Sequence, residues 1–177
     1  MPSAFTSVDP VAGQGYATQI SHWQTVWANT QFLKEKFQGG RMLASVTKNA
    51  NTTYADLTGL SFTVAASEVW QWVCFLYATA ANATPNMKFT FTGPAVPTYV
   101  AFGVLGNAID ITQGFNTTMG ADVIYTKTTI NELIVLSGII VNGANAGFVQ
   151  AQFAQQVSNA SNSVISLNSS IFAVRID

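Results

Sequence analysis

One histidine, one cysteine and eight carboxylates are all that this chain offers for acid–base, nucleophilic or metal chemistry. His22 stands beside Trp23 with no second ligand at metal spacing, so it reads as a helix-surface or packing residue. Cys74, flanked by Val73, Phe75 and Leu76, reads as a small core residue with no disulfide partner. The carboxylates Asp9, Glu35, Asp56, Glu68, Asp110, Asp122, Glu132 and Asp177 are scattered, with no pair at close spacing. A glycosidase pair needs only proximity in space, which keeps a glycan-cleaving enzyme as a third-ranked reading. The glycines build no phosphate loop: Gly13-Gln14-Gly15 lacks a preceding strand and a following Lys-Ser/Thr, and Gly103-Val104-Leu105-Gly106 lacks the third glycine of a dinucleotide fingerprint. No catalytic residue, metal site or cofactor is expected.

The composition points to contact chemistry instead. Only 8% of the residues are charged while 49% are hydrophobic, against roughly 25% charged in an ordinary soluble domain. Such a surface, made of Ser, Thr, Asn, Gln and apolar groups, suits permanent burial in an assembly. A net charge of −1 supplies no pull on nucleic acid or anionic lipid. No apolar stretch approaches the roughly 20 residues needed to span a bilayer, and Met1 to Val11 lacks the basic and apolar regions of a secretory signal. The sequons at Asn51, Asn82, Asn116, Asn159 and Asn168 fit chance in a chain this rich in Asn and Thr. Neutral Asn and Gln beside exposed aromatics can also hydrogen-bond a sugar or a neighbouring subunit without salt sensitivity.

Positioning those residues requires an arm, a helix and a set of strands. Pro2, Pro10, Gly13 and Gly15 make residues 1–17 an extended arm. Thr18 is a candidate N-cap for a helix carrying Ile20, Trp23 and Trp27 on one side and Val26, Leu33 and Phe37 on an adjacent stripe, with Gly39-Gly40 expected to stop it. From Arg41 the period changes to two. Strands are expected at Met42–Thr47, Leu57–Val64, Val69–Tyr77, Met87–Thr92, Tyr99–Val104, Val123–Tyr125, Glu132–Val141, Phe148–Phe153 and Ile171–Ile176, with turn chemistry between them. Val69–Tyr77 is apolar at both parities, as for a central strand covered on both sides. Trp70, Trp72, Phe89, Phe91, Val135 and Phe153 are assigned to packed faces. The expected fold is all-β, an antiparallel jelly-roll or β-sandwich with a short N-terminal arm and helix, divided as 1–40 for attachment and 41–177 for the β-domain.

The stretch from Trp23 through Gly39-Gly40-Arg41, "TYADLTGLSF" at Thr53–Phe62, the aromatic strand after Glu68, "KFTFTGPA" at Lys88–Ala95, "SGIIVNGANAGFVQAQFAQ" at Ser137–Gln155 and "NSSIFAVRI" at Asn168–Ile176 together resemble a recurrent β-domain of tailed-bacteriophage virion proteins. Capsid decoration (cement) proteins, head fibres and tail-fibre tips carry such domains, which look like jelly rolls that trimerise. This chain shows no coiled-coil or β-helical shaft. The resemblance implies a capsid cement protein acting as a homotrimer at the virion surface, made in the host cytoplasm. Its partner would be the major capsid protein or another virion protein, and Phe5, Tyr16, Trp23 and Trp27 would be attachment anchors. The alternative it implies is a short head or tail fibre or spike, an adhesin binding host surface glycan or protein.

Overall fold

The computed structural model describes residues 16–81, 85–105, 115–126 and 131–177, without the side chains of 16–20 and 22. One helix, α1 (Tyr16–Lys36), runs into eleven strands: β1 (Phe37–Arg41), β2 (Val46–Lys48), β3 (Ala55–Val64), β4 (Val69–Ala80), β5 (Met87–Thr92), β6 (Tyr99–Val104), β7 (Val123–Tyr125), β8 (Asn131–Val141), β9 (Gly147–Gln155), β10 (Ser163–Ile165) and β11 (Ser170–Arg175).

The strands form two antiparallel sheets. The four-stranded sheet has the order β3-β9-β5-β7. In the seven-stranded sheet, β4 is long enough to share one edge between two partners, β11 along Trp70–Phe75 and β10 along Ala78–Ala80, while β8 takes its other edge. β1 and β2 extend the sheet beyond β11 and β10, and β6 extends it beyond β8. If the two split edges are each counted as one strand and β6 is set aside as an insertion, the orders become 1-8-3-6 and 2-7-4-5. That is the interlocked order of a jelly roll.

Period-two alternation places the core. Trp70, Trp72, Cys74, Leu76 and Ala78 of β4 point inward, as do Met87, Phe89 and Phe91 of β5 and Val149, Ala151 and Phe153 of β9. Aromatic rings bridge the sheets, Trp72 lying edge-on to Phe91 at 5.4 Å and Phe91 to Phe102 at 5.4 Å, while within the four-stranded sheet Phe89 stacks on its cross-strand partner Phe153 at 5.9 Å. Two expectations need correction here. Val135 lies on the outer face of β8, because the inward parity belongs to Ile134 and Leu136. β4 is covered fully on one side only; outward Val73 and Phe75 are half-buried and Tyr77 is exposed.

The helix also ends earlier than its glycine pair. Gly39 and Gly40 lie inside β1, so residues 37–40 pair with β11 rather than continuing the helical segment. A Cβ on Gly40 would stand 2.2 Å from the Gly59 carbonyl oxygen of β3 and one on Gly39 2.5 Å from the Ile171 carbonyl oxygen of β11, so the pair serves close approach of β1 to two other strands rather than helix termination. Gly59 itself takes φ of 93° where the register of β3 against β9 shifts between Asp56 and Ser61. This bulge explains why Leu57 and Leu60, three residues apart, are both fully buried. The Gln150 side-chain amide donates to the Leu57 and Leu60 carbonyls beside it, at 3.1 and 3.2 Å.

A second buried amide ties the loops. Gln155 is 0% exposed; its Nε2 donates to the Lys48 and Ser161 carbonyls, and its Oε1 accepts from the Asn51 and Asn159 amides. All four partners sit in segments flanking β2 and β10, so one side chain fixes that end of the sandwich.

Candidate assembly surface

The two outer faces of the sandwich differ in chemistry. On the four-stranded sheet the outward positions include Asp56, Thr63, Lys88, Thr90, Thr92 and Gln152, with Phe148 as the exposed aromatic. Lys88 pairs with Asp122 at 3.4 Å and lies over the Tyr54 ring, whose hydroxyl donates to Asp122 at 2.7 Å. Burial, then the Asp122 hydrogen bond and charge, push the Tyr54 hydroxyl pKa upward. This face is polar, and part of it is covered: Thr90 and Ala154 are buried.

The seven-stranded sheet presents the opposite. Strand pairing sets Tyr77 beside Leu133, Phe75 beside Val135, and Val73 between Phe172 and Ser137. Gln71 lies beside Ile139, which neighbours Ala101 of β6, and Val141 neighbours Tyr99. None of the outward positions of β4, β6, β8 and β11 carries a charge; on this face Arg41 stands at the β1 rim. Phe172 is 58% exposed, Leu133 54%, Tyr99 50% and Tyr77 48%. Gln71, Tyr99, Ala101, Phe115, Ser137 and Ile139 rim a shallow depression of about 430 Å³ on it. Sequence reasoning missed this surface. Its signal was present, since Val69–Tyr77 and Leu133–Val141 are apolar at both parities, but that signal was assigned to burial within the chain.

The expected anchors fall on or beyond α1. Phe5 lies outside the described residues. Tyr16 opens the helix, and its side chain, like that of His22, is also outside them. Trp23 is 69% and Trp27 67% exposed, one helical turn apart. The helix touches the sandwich chiefly at β1 and β11, where the Lys36 ammonium donates to the Asp177 backbone carbonyl. Phe32, beside Lys36, sits about 180° around the helix from Trp23 at 100° per residue. The tryptophans therefore point away from the side of the helix that is tied to the body.

Glu68, Asp177, Asp56 and Asp122 are engaged in structural contacts, while Asp9 and Asp110 lie outside the described residues. Glu68 accepts from the Arg175 guanidinium at 2.7 Å, the Trp70 indole at 2.9 Å and the Ala65 amide at 2.7 Å. Arg175 also holds Asp177 at 2.6 Å; burial acts to raise the Asp177 pKa, but this hydrogen bond and the Arg175 charge outweigh it and leave the carboxyl below its ordinary value. Asp56 accepts from Gln152. Among the described residues no three His, Cys, Asp or Glu side chains gather as a metal site. Cys74 is buried, and that burial raises its thiol pKa.

No family model and no curated protein matches the chain. Among solved structures it is similar to the Eiger TNF of S. frugiperda, with a TM-score of 0.38 and 10% identity over 80% of this chain and 94% of that one.

Proposed function

We propose that the protein is a structural subunit of a bacteriophage particle that decorates and stabilises the capsid as a cement trimer. The observation that carries the reading is the asymmetry of the sandwich: one outer face is polar and ion-paired, the other apolar, with Arg41 at its β1 rim as the charge on it among the described strands. A face of that kind is stable only when another surface covers it. The sequence resemblance to phage virion β-domains supplies the setting, and the N-terminal arm with Phe5, Tyr16, Trp23 and Trp27 supplies the attachment to the major capsid protein or another virion protein. Exposed aromatics are the favoured energetic centres of such contacts.

The work is mechanical. Apolar contacts between many copies add stability to a shell under internal pressure, and a contact without ion pairs is insensitive to the salt inside or outside the particle. The test compares particles with and without the protein. Loss of the protein should lower the temperature at which capsids release DNA while adsorption to the host stays intact. Lost adsorption with unchanged capsid stability would overturn the cement reading in favour of a fibre or spike that binds host glycan or protein.

A further inference from the structure

We infer that copies of this chain associate through the outer face of the seven-stranded sheet, centred on Phe75, Phe172, Tyr77 and Leu133, with Phe37 carrying the contact onto the Val26–Leu33 stripe of α1. The inference deepens the proposed function, on which its setting in a trimer rests, by naming the surface that joins the copies.

Phe37 is the residue that makes these one surface. It follows Val26, Thr30 and Leu33 at helical spacings of four, three and four, and it is also the first outward residue of β1, paired with Val174 and 59% exposed. The apolar strip therefore leaves the helix and continues onto the sheet without a charged residue between Leu33 and Phe172 on that path, Lys34, Glu35 and Lys36 lying on other helix positions. At 1.5 Å per residue the Val26–Leu33 stripe adds about 10 Å to a sheet face about 40 Å long on the twelve residues of β4.

Area and charge select the occupant. The exposed aromatic and leucine side chains, each offering roughly 100 Å², together with their half-buried neighbours present about 800 Å² per copy, the size of one side of a standard stable interface. Copies related by a three-fold axis bring like residues near one another around it, so the centre of a self-associating face must carry no charge. Here Arg41 is set at the β1 rim and the outward positions of β4, β6, β8 and β11 carry none. In a closed three-fold ring the strip of each copy meets its two neighbours rather than a single two-fold mate.

The test is the solution mass of the full chain at micromolar concentration. The wild type should scatter as a multiple of 18.9 kDa. Phe172→Asp and Leu133→Lys should each shift it toward the single-chain mass while keeping the β circular-dichroism spectrum. Phe148→Asp, on the polar sheet and equally exposed at 57%, should leave the assembly unchanged. If the charged variants fail to fold, Phe172→Ala and Leu133→Ala replace them and should weaken association about tenfold. A monomeric wild type, or dissociation by Phe148→Asp alone, would overturn the inference. A monomer that still protects capsids would leave the cement reading standing without this interface, and an assembled wild type that neither binds nor protects capsids would do the reverse.

Discussion

Phe75 of β4 and Phe172 of β11 meet edge to face on the outside of the sandwich, with ring centroids 6.4 Å apart and planes at 72°. Phe172 remains 58% exposed in that arrangement. Such pairs are worth about 0.5–1.5 kcal/mol beyond area burial, so the pairing holds two rings in place at the surface before any partner arrives. Ordered aromatic groups lose little side-chain freedom on binding.

The contrast between inner and outer aromatics is measurable. Phe89 is fully buried and stacked on Phe153, so Phe89→Ala should lose about 3–5 kcal/mol of stability. Chemical denaturation under conditions that keep the chain monomeric should show Phe172→Ala far less affected. Equal losses would place Phe172 in the core energetics of the single chain.

Gly138 of β8 lies under the Trp72 ring, and a Cβ there would stand 2.2 Å from Cζ2. Gly138→Ala should destabilise by about 1–3 kcal/mol through overpacking, and the displaced ring should alter near-ultraviolet circular dichroism. An unchanged melting midpoint would mean that the ring has another place to go.

Gln155→Leu removes both ends of a buried network that holds the Lys48 and Ser161 carbonyls and the Asn51 and Asn159 amides. Each orphaned buried group costs about 1–3 kcal/mol. The variant should unfold at markedly lower denaturant concentration, with hydrogen exchange rising first in the segments around residues 49–51 and 156–163.

Cys74 should resist thiol reagents in the native protein and react at once when unfolded, because burial holds it as the neutral thiol. A folded-state pKa above the unfolded value of 9.0 gives stability that is complete below that pH and declines as pH rises beyond it, since the unfolded chain alone then loses the proton. Cys74→Ala should remove this alkaline component from a pH series of melts, and an unchanged pH dependence would assign it elsewhere.

Most of the strands were legible because alternation and turn residues act locally. Met87–Thr92 and Tyr99–Val104 match β5 and β6, and the jelly-roll class followed from their number and spacing. What sequence reading could not supply were effects set by contacts distant in the chain. Gly39-Gly40 reads as a helix stop, yet its reasons are the Ile171 and Gly59 carbonyls in two other strands. Val135 is expected on a packed face, and only its pairing beside Phe75, with Ile134 and Leu136 buried, shows which parity faces the core. The exposed tryptophans Trp23 and Trp27 were legible as a helical pair, whereas the outer sheet face was not, because its residues come from four strands.

The rims of both sheets limit how copies can add to one another. β2 and β7 have three residues each, the β3 edge is broken at its bulge, and the β6 edge is partnered at Phe102 by Asn116. At these four rims few backbone groups in straight sequence are open, among the described residues, for a foreign strand to extend the ladder. Growth by strand addition, which has no natural end and leads to fibrils, is thereby discouraged. A chain this poor in charge can thereby stay discrete at high concentration instead of growing into a filament.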